Sequence, residues 1–145
     1  MTSGKLSGRA PVLMSTMTIH EMSLKRFESP DQVRVFEKGR FELLELGPLV
    51  IGRATYQPGW KWSEHVGPTA GTPLCEVEHV GLVISGTVAV QMRDGSAREL
   101  TAGTAFYVAP GHDSWVVGNE PYVSLHLVGA EQYAHEAVKA AADKA

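Results

Sequence analysis

The sequence lacks several features that mark common protein classes. Its 145 residues include a single cysteine, Cys75, which excludes an intrachain disulfide framework. No apolar run is long enough to cross a bilayer, and the first residues contain no apolar signal-peptide segment. With 13 basic against 16 acidic residues and no basic cluster, neither nucleic acid nor an anionic membrane is an expected partner. We therefore expect a single-domain cytoplasmic protein.

Signatures of the common enzyme classes are also missing. The chain contains no Ser-His-Asp order, no Walker loop, no dinucleotide-binding fingerprint, no Cys-x-x-Cys pair and no internal repeat. Its 43% hydrophobic and 20% charged residues are those of an ordinary globular protein. The informative feature is instead a distribution of histidines and glycines among short β-type runs.

Short runs rich in β-branched and aromatic residues, separated by turn residues, occupy most of the chain after residue 32. Asp94-Gly95 is the clearest hairpin turn, and Pro58-Gly59 and Pro110-Gly111 are further turn signals. Turns at this short spacing predict an all-β sandwich or barrel. The predicted strands cover residues 33–36, 41–46, 49–56, 77–84, 87–93, 105–108, 115–118 and 122–128.

The two ends of the chain have a different composition. Residues 1–25 carry Gly, Ser, Thr and Met without periodicity, and we expect them to form a flexible N-terminal arm. Residues 131–145 are rich in alanine, with Tyr133, Ala137 and Ala141 four apart, acids early and lysines late. This pattern predicts a C-terminal α-helix. Apart from the arm, residues 26–145 are predicted to form a single domain that includes this helix.

Histidines and glycines recur at fixed spacing in two blocks. In the first block Gly59 precedes His65 by six positions, and His79 precedes Gly86 by seven. The second block runs from residue 103 to 118 and contains His112. Histidines brought together from separate strands are the way an all-β barrel builds an internal metal site.

These two blocks resemble the two motifs of the cupin superfamily, G-x5-H-x-H-x3,4-E-x6-G and G-x5-P-x-G-x2-H-x3-N. The sequence around Trp60, Trp62 and His65, and again from His112 to Gly118, is similar to a group of small single-domain bacterial cupins. The resemblance implies a double-stranded β-helix, or jelly-roll barrel, with the site inside. It names no substrate. Because such barrels leave sheet edges and outer apolar faces, it also implies a homodimer.

The first motif departs from the family pattern. Gly67 occupies the position of the second histidine, and an insertion of residues 68–74 follows. His79 occupies the glutamate position, and Cys75 lies where counting back from His79 would place a histidine. A site with rearranged ligands is therefore expected.

The second motif also departs from the pattern. Ala109 replaces proline, Ser114 replaces the last histidine and Gly118 replaces asparagine. His112 precedes Ser114 by two positions, and this even offset keeps it on the same side of an extended strand.

Strand periodicity indicates which side chains share a face. Two adjacent carboxylates belong on the solvent side, so the opposite face of the His79 strand is predicted to be interior. That interior face consists of Cys75, Val77, His79, Gly81 and Val83. In the strand over 122–128, we expect one face to pack the core and Ser124 and His126 to face solvent or a polar cavity. The predicted core face consists of Val123, Leu125 and Leu127.

The resemblance to the cupin motifs and the predicted interior faces of the strands together identify the residues of the candidate site. The metal ligands are His65, His79 and His112, with Cys75 as a weaker candidate. A structural role stays open for each: a buried neutral imidazole for His79, a loop histidine beside Trp62 for His65, a turn or surface residue for His112 and a small core residue for Cys75. The pocket candidates are His126, Asp113, Trp62 and Trp115.

A histidine or histidine/cysteine ligand set favours a divalent transition metal, Zn, Fe, Ni or Cu, over Mg or Ca. Two or three protein ligands leave positions for water or for a substrate that chelates through oxygen. The resemblance then implies a metal-dependent enzyme acting on a small carbonyl or enol metabolite, by dioxygenase or by isomerase/lyase chemistry. The alternative is a non-catalytic cupin module that binds or senses a small molecule.

Overall fold

A computed structural model describes residues 22–134 of the chain. Nine strands and two one-turn helices form within this range. The strands are β1 Gln32–Phe36, β2 Gly39–Leu46, β3 Leu49–Tyr56, β4 His79–Ser85, β5 Thr87–Met92, β6 Ala97–Thr101, β7 Ala105–Val108, β8 His112–Val116 and β9 Tyr122–Val128. The helices are α1 Trp62–His65 and α2 Gly67–Ala70.

The strands form two antiparallel sheets. One has the order β1-β2-β3-β9-β4-β7 and the other the order β6-β5-β8. Phe41 and Ala54 from the first sheet and Val88 and Val116 from the second belong to one buried core. Because strands from both sheets bury side chains in the same core, the all-β prediction is confirmed.

Two strands differ from the prediction for the same physical reason, which is low hydrophobicity. Strand β6 was not predicted because its side chains are exposed apart from the partly buried Leu100. The Asp94-Gly95 hairpin creates this strand: Asp94 Oδ1 accepts hydrogen bonds from the backbone N and the Oγ of Ser96. Strand β8 starts at His112 rather than at residue 115, because its polar first half pairs with β5 despite its turn-like composition.

The predicted ends lie mostly outside the described residues. Residues 22–25 have no regular structure and residues 131–134 form turns, whereas the rest of the predicted arm and C-terminal helix lies beyond this range. The insertion expected as a loop over 68–74 is partly helical, since α2 spans its first residues. Among residues 22–134, no helix is long and apolar enough to cross a membrane.

The prediction that the apolar face of β9 packs the core is wrong, whereas His126 lines a cavity, one of the two environments expected for its face. Ser124 and His126 are buried, with exposed fractions of 0% and 5%, whereas Leu127 is 45% exposed. The polar side chains point into the core because a cavity lies there, and the apolar side chains of β9 lie on the outer face of the six-stranded sheet. The prediction for β4 is confirmed, because Cys75, His79 and Val83 are buried.

Arg34 fastens the turn that follows β9 to the core. Its Nη1 donates hydrogen bonds to the backbone oxygens of Ala130, Glu131 and Tyr133 at 3.2, 2.8 and 2.7 Å. Its Nη2 donates to Gln32 Oε1 at 2.9 Å. Arg34 is only 2% exposed. A rigid guanidinium that bonds several carbonyl groups at once fixes the backbone of this turn, and with it the position of Tyr133.

Candidate metal centre

The backbone places Cys75 directly beside His112. The Cys75 N donates to the His112 oxygen at 2.8 Å, and the His112 N donates to the Cys75 oxygen at 3.2 Å. Gly111 permits this bridge because its φ of 92° lies in the left-handed region, where a side chain would be strained. Paired residues of an antiparallel bridge project to the same face, so the Cys75 and His112 side chains enter the core together.

His79 completes a group of three ligand atoms. Its Nε2 lies 3.6 Å from Cys75 Sγ, and one ligand atom from each of Cys75, His79 and His112 lies within 4.8 Å of the other two. A tetrahedral zinc ion with Zn–S of about 2.3 Å and Zn–N of about 2.0–2.1 Å holds its sulfur and nitrogen ligands about 3.6 Å apart. The separation in this protein therefore matches two ligands of one metal ion. A thiol–imidazole hydrogen bond accounts for the same distance without a metal.

The hydrogen bonds of the rings leave nitrogen atoms free for coordination. His112 Nδ1 lies 2.7 Å from the Ala109 oxygen, and this bond fixes the tautomer that leaves Nε2 with its lone pair. His79 Nδ1 is buried without a hydrogen-bond partner among the described residues. One thiol and two imidazoles, all buried, form a donor set that fits a borderline transition metal. The Cys75–His79–His112 cluster thus has the ligand types and the spacing of a metal site.

Burial keeps the cluster neutral in the absence of a metal. It lowers the pKa of His79 well below the usual range, with the neighbouring His126 and His112 adding to this effect. It also lowers the pKa of His112, against the opposing hydrogen bond to Ala109. Burial raises the pKa of the Cys75 thiol to about 12. The imidazoles are consequently ready to coordinate at neutral pH, whereas the thiol must lose its proton to do so.

His126 lies beside the cluster rather than within it. Its ring centroid is 5.1 Å from that of His79, and its Nε2 is 3.0 Å from Ser124 Oγ. Strand pairing places Gly52 and Gly81 on either side of it, and the missing side chains of these glycines leave room for the rings of Phe41 and Phe106, which pack against the imidazole. Burial lowers the pKa of His126 to about 4, so its ring is neutral at pH 7.

His65, which was predicted from the sequence as a metal ligand together with His79, is not part of the Cys75–His79–His112 cluster. It ends α1, and its Nδ1 accepts a hydrogen bond from the Lys61 N at 2.9 Å. Its Nε2 lies 3.9 Å from a carboxylate oxygen of Glu37. The helical turn at Trp62 redirects the chain, so the motif spacing, which assumes a strand here, does not bring His65 to the cluster.

The other pocket candidates divide into two pairs. His126 and Trp62 line a cavity of about 40 Å³ together with His79 and His112. Asp113 instead fastens α1 to β8, because its Oδ1 and Oδ2 accept hydrogen bonds from Ser63 N and Ser63 Oγ at 3.0 and 2.7 Å. Trp115 is not among the cavity-lining residues either. It contacts Lys61, whose Nζ lies 5.3 Å from the Trp115 ring centroid.

Three tyrosines that sequence reasoning missed also line this cavity, namely Tyr56, Tyr122 and Tyr133. Tyr56 and Tyr133 join their hydroxyl oxygens in a hydrogen bond of 2.8 Å. Tyr133 was interpreted as part of a helical stripe, and Tyr56 as an ordinary strand residue. A signal for Tyr56 existed, since it lies on the same face of β3 as the core residue Ala54.

Two further spaces adjoin the cluster. A cavity of about 190 Å³ touches Cys75 and shares Trp62 and Tyr133 with the smaller one. A surface groove of about 490 Å³ between β6 and β7 shares Leu100 and Phe106 with it. The cluster is therefore buried but close to space that a small molecule can enter.

Solved structures of similar fold include two enzymes. The polyketide cyclase RemF from Streptomyces resistomycificus is 17% identical, with 75% of this chain covering 80% of that chain and a TM-score of 0.55. A variant of Bacillus subtilis oxalate decarboxylase is 22% identical, with coverage of 68% and 28% and a TM-score of 0.50. A second structure of that decarboxylase, described for its Mn(II) centres, is 23% identical, with coverage of 64% and 26% and a TM-score of 0.47.

These likenesses define a cupin-like fold, as the motifs predict, and at such low identity they define the fold alone. The chain spans about a quarter of the length of the oxalate decarboxylase chains that it matches. No protein-family model matches the chain, and no curated protein matches it in sequence.

Proposed function

We propose that this protein is a small metal-binding cupin, a jelly-roll barrel whose Cys75–His79–His112 centre acts on a small carbonyl or enol metabolite. The observation that carries the proposal is the 3.6 Å separation of Cys75 Sγ and His79 Nε2 within a buried three-residue ligand group. The ligands favour Zn, Fe, Ni or Cu, because a thiolate and imidazoles are softer donors than carboxylates. The Mn(II) of the oxalate decarboxylase neighbour suits a harder ligand set than this one.

The residues at and around the cluster would have different roles in such a site. Cys75, His79 and His112 hold the metal, and Ala109 orients the His112 ring through its backbone oxygen. When bound, a divalent metal supplies Lewis-acid activation of a carbonyl or enol, or a binding position for O₂. His126 contributes a neutral imidazole beside His79, and Phe41 and Phe106 exclude water on either side of its ring. Isomerase/lyase and dioxygenase chemistry are both compatible with this arrangement.

The size of the cavity limits the reacting part of the substrate. About 40 Å³ admits a few non-hydrogen atoms, since one water needs roughly 10–15 Å³ on the same scale. The remainder of a larger substrate would occupy the groove between β6 and β7, which is lined by Met92, Tyr107 and other mainly apolar side chains. We therefore expect a substrate with a small polar end and an apolar body.

A second candidate function, non-catalytic small-molecule binding, has one observation in its favour. No Asp, Glu, Lys or Arg is among the residues that line the small cavity in the described part of the chain. An enzyme of this kind would have to move protons with histidine or tyrosine alone. The discriminating experiment incubates the metal-loaded and metal-free proteins with enolisable carbonyl compounds. Metal-dependent conversion supports the enzyme, whereas saturable binding without conversion supports the binding module.

The affinity for zinc is expected to rise with pH. Burial lowers the pKa of both imidazoles below 6.5, so between pH 7 and 8 they are mainly neutral, whereas the Cys75 thiol, whose pKa is about 12, must release a proton. Release of one proton increases the apparent association constant about tenfold per pH unit. Competition with a chromophoric chelator at several pH values measures this slope. Cys75→Ala should bind zinc more weakly and without the slope, and a slope near zero in the parent protein would exclude the thiol as a ligand.

The homodimer stays a prediction, and the outer face of the six-stranded sheet is the surface that we propose for it. Ile84, Tyr107 and Leu127 are 48%, 61% and 45% exposed on adjacent strands of this sheet. Light scattering at micromolar concentration should give twice the monomer mass, and Leu127→Lys should shift it toward the monomer by placing a charge in the contact. A parent protein that is monomeric under these conditions contradicts the prediction.

A further inference from the structure

The Tyr56–Tyr133 pair has a hydroxyl hydrogen that the described residues do not use. Two phenols contain two hydroxyl hydrogens, and the bond between the two oxygens uses one of them. No other hydrogen bond to or from either oxygen occurs among residues 22–134. Both side chains are buried and both line the cavity, so the remaining hydrogen is available to an acceptor inside it.

The order of the two phenols follows from their neighbours. Tyr133 is the nearer to the metal cluster, since its ring centroid lies 5.3 Å from that of His79 and 6.1 Å from that of His126. Tyr56 lies behind it, stacked on Trp60 with a centroid distance of 3.8 Å. The hydroxyl of Tyr56 donates to that of Tyr133. Tyr133 is therefore the phenol whose hydrogen is free to bond a ligand, and Tyr56 polarises it.

The position of Tyr133 is fixed by contacts on several sides. Arg34 bonds its backbone oxygen at 2.7 Å, and the ring packs edge-on against Phe41 with a centroid distance of 4.9 Å. A donor held in this way loses little entropy when it bonds a ligand. Tyr133 is therefore a preorganised hydrogen-bond donor, unlike a mobile tyrosine on the protein surface.

The charges of the cavity select the kind of acceptor. A divalent metal with the Cys75 thiolate and two neutral imidazoles carries a net charge of about +1, and no other formal charge lines the cavity among the described residues. A single negative charge is therefore complementary, and a neutral phenol can donate to it at neutral pH. An oxygen acceptor satisfies both the metal and the phenol.

We propose that Tyr133, supported by Tyr56, donates a hydrogen bond to a monoanionic oxygen ligand, a carboxylate or an enolate, in the cavity beside the metal cluster. This inference rests on the proposed metal centre. It goes beyond that centre by naming the charge and the donor atom type of the ligand, and by assigning a ligand-contacting role to two residues that the motifs do not include.

Cobalt-loaded protein tests the proposal, because Co(II) bound by thiolate and imidazole has visible absorption that responds to an added ligand. Formate is the probe, and formamide is its neutral counterpart of the same shape. Formate should change the spectrum saturably, and formamide should bind at least about tenfold more weakly. Tyr133→Phe should raise the Kd for formate roughly ten- to a hundred-fold, the usual effect of one hydrogen bond to a charged group. Tyr56→Phe should raise it by a smaller factor.

Thr101→Val is the control, because it removes one hydroxyl group at nearly constant shape and Thr101 is exposed and lines neither the cavity nor the groove between β6 and β7. Its Kd for formate should equal that of the parent protein, and all four proteins should have the same cobalt spectrum before formate is added. A Kd for Tyr133→Phe within twofold of the parent, or equal binding of formate and formamide, overturns the proposal while leaving the metal centre intact. If Tyr133→Phe does not fold, an unchanged Kd in Tyr56→Phe overturns it instead. A parent protein that binds no cobalt contradicts the metal centre and this proposal with it.

Discussion

Replacing His79 with alanine should lower the affinity for zinc by more than about 100-fold and leave the β-sheets folded. His79 is one of the three residues of the proposed ligand group, and loss of even a supporting residue around a metal typically costs 10- to 100-fold. The fold should survive because the ring makes no hydrogen bond other than its contact with Cys75 among the described residues. Zinc affinity by competition titration and the far-ultraviolet circular dichroism spectrum measure the two effects.

His65→Ala is the matched control for this substitution. Both variants remove one imidazole from a residue of the first motif, but His65 lies outside the ligand group. His65→Ala should therefore bind zinc within about twofold of the parent protein. His79→Glu, which introduces the carboxylate of the cupin motif, should retain metal with a harder preference. Equal zinc affinity in His79→Ala and the parent would show that the ligand group is wrong.

Acid should destabilise the metal-free protein well above the pH at which its carboxylates titrate. Unfolding exposes His126, whose pKa rises from about 4 in the folded protein to about 6.5 in the unfolded chain. Between these two values the unfolded chain binds a proton that the folded protein does not bind. The stabilisation is thus complete above pH 6.5 and is lost as pH falls toward 4, by about 3 kcal/mol for this one residue. The lowered pKa values of His79 and His112 act in the same direction.

Urea unfolding at closely spaced pH values measures this loss. His126→Gln, which keeps a hydrogen-bonding group near Ser124 and removes the titration, should reduce the slope by about one proton. Asp31 and Asp94 cannot account for the effect, because hydrogen bonds lower the pKa of each below its usual range. A free energy of unfolding that stays constant between pH 6.5 and 5 would contradict the burial of neutral histidines.

The sequence was sufficient for the features that depend on local chemistry. Turn residues at short intervals predicted the strands, and Asp94-Gly95 predicted the β5–β6 hairpin. The paired carboxylates Glu76 and Glu78 indicated which face of β4 is interior. This face places Cys75 and His79 in the core, and the backbone bridge of Cys75 adds His112.

The features that sequence reasoning missed depend on the path of the chain. The position of His65 depends on the one-turn helix α1, a helix too short to have a periodic signal. The apolar face of β9 was assigned to the core because alternation identifies two faces but does not say which one is buried when the interior holds a polar cavity. The position of Tyr133 depends in part on Arg34, which bonds the turn after β9 through a contact between residues 99 positions apart.

X-ray absorption at the zinc edge tests the central claim most directly, because it counts sulfur and nitrogen ligands around the metal. The zinc-loaded protein should have one sulfur at about 2.3 Å and at least two nitrogen or oxygen ligands at about 2.0–2.1 Å. The sulfur should be absent in Cys75→Ala. A parent protein whose bound zinc has nitrogen and oxygen ligands alone, or which binds no zinc, would contradict a metal centre formed by Cys75, His79 and His112.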